Sequence, residues 1–319
     1  MTGGTSAMAK TMLGQPAELA RMLSDTESVE RAAGRVKGHR VLLVGTGTSW
    51  HAANIGAYWL RLAGLEAWPL QAADAALYGP QPQRNDAVIV ISHRGNKAYG
   101  SQVFAAARQG GVVTVQISRR GNLDADIETV DGEISSAHTA SYTGSLFRLA
   151  QLASQLGAGL GRLDGVPETI AAALSGPGPQ VRPPERMLQF IGAGPNQWTA
   201  AEGALKVRET SYVAAEGLGY EQFLHGPSVA LTERDALICL DGGGPAVIRL
   251  EEIRRAAAAN NVRVHHLCER SLGEALSVFP LTVLVQRIAL DCARALGTDP
   301  DSFGLDLPGH QETWGKITL

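Results

Sequence analysis

Only three cysteines occur in the 319 residues, Cys239, Cys268 and Cys292, and no two of them form a CxxC pair. An odd, dispersed set argues against a disulfide framework. A basic excess is missing too: 28 Lys and Arg stand against 31 Asp and Glu, for a formal net charge of −3. Composition therefore marks no nucleic-acid face. No Lys/Arg-rich amphipathic run suggests a membrane-surface partner. The opening MTGGTSAMAKTMLGQP has no apolar core of the signal-peptide kind. The most apolar long stretch, 272–296, is interrupted by Glu274, Pro280, Gln286, Arg287, Asp291 and Arg294. It reads as a buried helix rather than a membrane span. These absences make a cytoplasmic, reducing location the expectation. There is no G-x-G-x-x-G either, because Trp50 takes the place of the third glycine after Gly45 and Gly47, so no nucleotide cofactor is expected. No run of His, Cys, Asp or Glu has metal-ligand spacing, so no metal is expected.

What is present is a globular composition, 45% hydrophobic and 18% charged, long enough for two domains of ordinary size. Short β-rich runs, VLLVG (41–45), AVIVIS (87–92) and VVTVQIS (112–118), alternate with longer alanine-rich ones such as SQVFAAARQ. That alternation predicts α/β architecture with a parallel sheet covered by helices on both faces. SGPGPQVRPPER, 175–186, cannot continue a helix and reads as a linker. After it the pattern begins again. MLQFIGAGPNQWTAAEGAL mirrors VLLVGTGTSWHAANIGAYW, and RDALICLDGGG mirrors NDAVIVISHRG at nearly the same offset. The chain reads as a duplicated module: a helical lead over 1–36, a first domain over 37–174, the linker 175–186, and a second domain over 187–319.

A glycine turn between a strand and a helix exposes several backbone N–H groups, and with the helix dipole these suit an anion. In GTGTS, Gly47, Thr48 and Ser49 supply such a turn, and the hydroxyls add donors. SHRGNK, 92–97, repeats the design with Ser92 and adds His93, Arg94 and Lys97. Turns after neighbouring parallel strands face one crevice, so together they suit a phosphate. In the second copy Asp241 stands in the place of Ser92. A carboxylate would repel an anion, so one phosphate site is expected, in the first half only.

At these residues the sequence resembles the double sugar-isomerase (SIS) domain family, most of all the isomerase half of the glutamine:fructose-6-phosphate amidotransferases. The family carries a C-G-T-S turn, a S-Q-S-G-E-T turn, and a helix E-G-A-L-K-x-x-E-x-S-Y followed by H-G-P. Here the helix reads EGALKVRETSY (202–212), and HGP is His225–Pro227. The resemblance runs from MLGQPAELARML (12–23) to the final KITL. It implies two tandem SIS domains, each an αβα sandwich of flavodoxin type, and a cytoplasmic homodimer with shared active sites. It also implies a phosphorylated sugar as substrate and no cofactor. Residue by residue, it makes Glu209 the base that moves a proton between C1 and C2, and Lys206 its neighbour on the same helical face. His225 becomes the ring-opening acid/base, supplied across the dimer. The family motif A-S-T-K-A-F-T appears as AHTASYT (137–143), so His138 and Thr139 are expected to border the substrate.

The departures matter. Thr46 stands where the family has cysteine, and Arg94 and Lys97 replace hydroxyls, so the anion would be held by charge. The tail DLPGHQETWGKITL is longer than the family's D-x-P-R-N-L-A-K-S-V-T, which leaves Lys316 as the lysine available for a Schiff base. The chain starts MTGG and has no room for a glutaminase domain, so it is not expected to hydrolyse glutamine by itself. Isomerisation, deamination and deglycation stay open. So do an ammonia-dependent synthase, or one fed by a separate glutaminase, and a non-catalytic sugar-phosphate sensor. Without the resemblance, Glu202 and Lys206 would read as a solvated i, i+4 ion pair, and His265 and His266 as structural.

Overall fold

A computed structural model describes residues 5–317; the MTGG start and Thr318 and Leu319 of the KITL tail lie outside the described residues. In chain order the elements are α1 (Ala7–Ser24), α2 (Glu27–Val36), β1 (Arg40–Gly45), α3 (Thr48–Leu62), β2 (Ala67–Gln71), α4 (Ala72–Leu77), β3 (Asp86–Ile91), α5 (Ala98–Gln109), β4 (Val113–Ser118), β5 (Ile127–Glu128), α6 (Ala140–Gln155) and α7 (Val166–Ser175). After a segment without helix or strand come β6 (Leu188–Gly192), α8 (Asn196–Ser211), β7 (Ala215–Gly219), α9 (Tyr220–Leu224), β8 (Ala236–Asp241), α10 (Val247–Ala259), β9 (Arg263–Cys268), α11 (Val278–Leu296) and α12 (His310–Thr313). Among the described residues no helix is long and apolar enough to cross a membrane.

The first sheet has the order β2-β1-β3-β4-β5 and is parallel throughout. Its strands are near-continuous apolar runs because both faces are covered. Leu42, Val44, Val88 and Val90 pack with Ala72, Ala75, Val103 and Ala107 from α4 and α5. Side chains alternate along a strand, so Leu43 points to the other face. There α3 comes so close that a Cβ added at Gly56 would lie 3.0 Å from both Leu43 and Leu149.

The second sheet repeats the order as β7-β6-β8-β9, again parallel. Leu188, Phe190, Ile238 and Leu240 pack with Ala204, Val207, Leu281 and Val285 from α8 and α11. Ile191, Leu237 and Cys239 pack on the opposite face with Phe223, Leu250 and Ile253. Gly203 repeats Gly56, since its added Cβ would lie 3.0 Å from Val285 and 3.1 Å from Phe190. The strand bases repeat as well. Arg40 grips Asp86 at 2.7 and 2.9 Å across β1 and β3, and Arg186 grips Asp235 at 2.9 and 2.5 Å beside β6 and β8. The repeat read in the sequence is thus a repeat of sheet order, close helix approach and ion pairing.

The chain divides into two compact units that differ from the contiguous domains expected. Among the described residues, one comprises Gln15–Glu133 and Ala140–Pro167 with the first sheet; the other comprises 5–14, Ile134–Thr139 and 168–317. Most of α7 lies with the second sheet, where Arg287 donates to the Ala173 carbonyl and Leu174 packs on its core. The start of α1 belongs there too. No acidic residue lies in its own first turn. Its cap is Asp301, whose carboxylate accepts Ala7 N–H at 2.7 Å and Met8 N–H at 2.9 Å, while Met8 and Met12 join the core.

Candidate functional site

In the first unit, β1 and β3 are neighbours, yet the chain leaves them toward opposite edges of the sheet. This is a switch point, where open α/β sheets leave a crevice beyond the strand ends. Both predicted turns sit there, since Val44 is in register with Val90. Gly45 must be glycine: an added Cβ would lie 2.3 Å from the Ser49 carbonyl oxygen. Gly47 takes φ 55° and caps α3, and the space where its side chain would point is open for 4 Å. Thr48 and Ser49 begin the helix, half-buried. After β3, the Ser92 hydroxyl accepts the Gly95 N–H at 3.1 Å, which leaves its own proton to donate. His93 Nε2 accepts the Glu133 N–H at 3.1 Å. Arg94 and Lys97 are exposed, and their side chains form no ion pair among the described residues. The turn is tied to the end of β4, where the Arg119 backbone N–H donates to the His93 carbonyl at 3.0 Å.

The equivalent switch point in the second unit, between β6 and β8, is filled by acids. A Cβ at Gly244 would lie 2.3 Å from both Glu274 carboxylate oxygens, and one at Gly194 would lie 3.3 Å from Oε1. Burial raises the Glu274 pKa above the ordinary carboxylate value. Asp241 is buried and accepts the Gly243 N–H at 2.9 Å and both ends of the Arg270 guanidinium. Burial alone would raise its pKa, but Arg270, the Gly243 N–H and His266 outweigh it and hold it low. Exposed Arg94 and Lys97 thus follow one switch point, whereas Asp241 and Glu274 occupy the other.

The α8 motif gives a buried trio. Residues three and four apart share a helical face, and Lys206 Nζ lies 2.6 Å from Glu209 Oε2 and 3.5 Å from Glu202 Oε1. Glu202 and Lys206 are 0% and 1% exposed at the side chain, whereas Glu209 is 14% exposed. The pair is not the solvated one its spacing alone would suggest. One ammonium serves two carboxylates, and only Glu209 reaches solvent. The helix ends at Tyr212, which takes φ 60°. Its hydroxyl donates to Asp306 at 2.6 Å and accepts the Gly304 N–H at 3.1 Å. The last residue of the helix motif is thereby bonded to the first residue of the DLP tail motif.

The remaining expected residues are dispersed. His225 closes α9 and is 72% exposed at the side chain, with Nε2 3.2 Å from Glu221. Lys316 lies in the exposed tail. His138 and Thr139 belong to the second unit, not to the first-domain stretch expected for them. His138 holds φ 48°, a conformation that costs a non-glycine residue and recurs at functional sites. The Thr139 hydroxyl is buried and 3.0 Å from that of Thr11. Folding also creates what spacing did not show: ligand atoms of Asp241, His266 and Cys268 all lie within 4.8 Å of one another.

No protein-family model matches the chain. It is 28% identical over 303 residues to the curated glutamine–fructose-6-phosphate aminotransferase (isomerizing) of Pyrococcus horikoshii, a match covering 83% of this chain and 50% of that protein. The chain therefore spans about half the length of that relative. Among solved structures, the C-terminal domain of glucosamine-fructose-6-phosphate aminotransferase from Francisella tularensis superposes with a TM-score of 0.78 at 18% identity, covering 94% of this chain and 99% of that one. Glucosamine-6-phosphate deaminase from Thermotoga maritima gives a TM-score of 0.74 at 18% identity, covering 93% and 97%. The chain is a relative of the aminotransferases over most of its length and has the fold of that C-terminal domain.

Proposed function

We propose that the chain is a phosphosugar isomerase-type enzyme acting on a phosphorylated ketose or amino sugar. The observation that carries this reading is the Glu202–Lys206–Glu209 trio. A carboxylate that reaches solvent is paired with an otherwise buried ammonium, which suits a base that must take a proton from carbon and return it next door. Glu209 takes the proton from C2 of an open-chain amino aldose, or from C1 of a ketose. The electron pair moves onto the adjacent carbonyl or imine, and the enolamine or enediol collects the proton at the neighbouring carbon. Lys206 balances the charge that develops on oxygen or nitrogen. An amino aldose becomes a ketimine in this step, and water then releases the amine. Deamination and deglycation thus share the proton transfer of isomerisation.

The open turn pair of the first unit holds the phosphate through Gly47, Thr48, Ser49 and Ser92, with Arg94 and Lys97 contributing charge. A fixed phosphate orients the reacting carbons, which lowers the entropic part of the barrier. His225 opens the sugar ring from the neighbouring subunit of a homodimer. His138 and Thr139 border the sugar, and Lys316 is the candidate for imine formation with the keto carbon.

The test is a binding screen of sugar and amino-sugar phosphates, followed by incubation of the best ligand in deuterated water. Deuterium at C1 or C2 of recovered substrate or product is the expected result. A tight ligand that never gains deuterium would mean a sensor rather than an enzyme.

A further inference from the structure

Strands β8 and β9 are parallel, with Asp241 in register with Cys268 and Cys239 in register with His266. Alternation along the strands sends the side chains of Asp241, His266 and Cys268 to one face of the sheet. There the carboxylate, imidazole and thiol atoms all lie within 4.8 Å of one another, with His266 Nε2 3.1 Å from Asp241 Oδ2. We propose that Asp241, His266 and Cys268 form a binding site for a divalent ion of the zinc class, with a fourth coordination position open to solvent.

The donor set selects the ion. A thiolate and an imidazole favour zinc-type ions over magnesium or calcium, which take all-oxygen sets. Three protein ligands with a fourth position open are a common zinc arrangement. The three groups need only a small closure, because they come from the ends of two hydrogen-bonded strands. The side chains of His266 and Cys268 are exposed, so the three groups are reached from solvent.

Arg270 holds the Asp241 carboxylate in place. It donates to Asp241 through Nε at 3.2 Å and Nη2 at 2.5 Å, and the Gly243 N–H holds Oδ1 at 2.9 Å. These contacts fix the carboxylate before the ion arrives, as outer-shell donors do around metal ligands. The Arg270 side chain is 49% exposed, so its Nη2 can leave Oδ2 for water when the ion takes that oxygen. The dication then meets one carboxylate and one thiolate, the thiol proton is released to solvent, and the Arg270 guanidinium keeps its Nε on Oδ1. The other two cysteines are buried. Cys268 alone is exposed.

Cobalt(II) titration of the chelator-treated protein tests the site without any assay of turnover. The wild-type protein should develop a thiolate-to-cobalt charge-transfer band in the near ultraviolet and visible bands of a four-coordinate ion, and zinc should abolish both. Cys268→Ser should remove the charge-transfer band, and His266→Ala should weaken cobalt binding at least ~10-fold. Both substitutions fall on residues with exposed side chains, and circular dichroism confirms that each variant is folded. A folded wild-type protein without the charge-transfer band overturns the proposal. So does a band that persists unchanged in Cys268→Ser.

Discussion

Lys206 Nζ lies 2.6 Å from the Glu209 carboxylate on the same face of one helix, and the two side chains differ in access to water. The difference assigns separate jobs. Glu209 can exchange a proton with a ligand, whereas Lys206 holds charge. Glu209→Gln keeps the shape and removes the base, so turnover should fall on the order of 10²–10⁴-fold while ligand affinity changes little. Parallel binding and rate measurements on the best sugar phosphate check this, and a variant above half the wild-type rate removes Glu209 from the mechanism.

Lys206→Met is expected to harm the fold as well as the chemistry. It leaves Glu202, fully buried, and Glu209 without their shared cation. Removing one partner of a buried ion pair costs about 3–5 kcal/mol. Urea denaturation should show a loss of that size, larger than for Glu209→Gln. An unchanged midpoint would mean that the two carboxylates are protonated or hydrated without the lysine.

Anion binding should depend on the first switch point alone. Ser92→Asp puts a carboxylate where the second unit carries Asp241, and it should abolish phosphate competition for sugar-phosphate binding. Asp241→Ser should leave that binding unchanged. Arg94→Ser should weaken it by roughly tenfold or more, the scale of a hydrogen bond to a charged group, and flatten its salt dependence. Calorimetric titrations at low and high salt decide the matter; identical curves for wild type and Arg94→Ser would assign the anion to backbone and hydroxyl donors.

If His225 serves the neighbouring subunit, two dead proteins should make a live one. Mixing Glu209→Gln with His225→Ala, under conditions where subunit exchange is demonstrated, should restore part of the activity through one intact hybrid site. Exchange without recovery would place His225 outside the site.

The paired strand bases predict the acid response. Burial alone would raise the pKa of Asp86 and Asp235, but Arg40 with the Gln83 N–H, and Arg186 with Thr232, hold both below the ordinary carboxylate value. A carboxylate depressed in the folded state stabilises above its unfolded pKa, and the contribution is lost as pH falls through the folded value. Asp86→Asn and Asp235→Asn should therefore melt below wild type at neutral pH, with the gap narrowing in acid. A gap independent of pH would show that packing, not ionisation, is what the substitutions disturb.

The alternation of apolar strands and helices, the repeat after residue 186 and the E-G-A-L-K-x-x-E-x-S-Y helix were all legible in the sequence, because each rests on local periodicity and short spacings. Strands buried on both faces announce themselves as unbroken apolar runs, and the turn after β1 demands glycine because a Cβ at Gly45 would lie 2.3 Å from the Ser49 carbonyl oxygen. Other features needed the fold. The N-terminal turn of α1 is capped by Asp301, a pairing that no spacing rule reaches. The ion pair of Lys206 is a buried trio with Glu202 and Glu209, a burial that the i, i+4 spacing does not show. Asp241 read as a carboxylate that repels an anion, but β9 set His266 and Cys268 beside it, and Glu274 arrived from a turn far along the chain. Local pattern decides which segments become strands and helices. Which acids meet which bases is decided by strand order, because a parallel sheet joins residues that are neighbours in space and strangers in sequence.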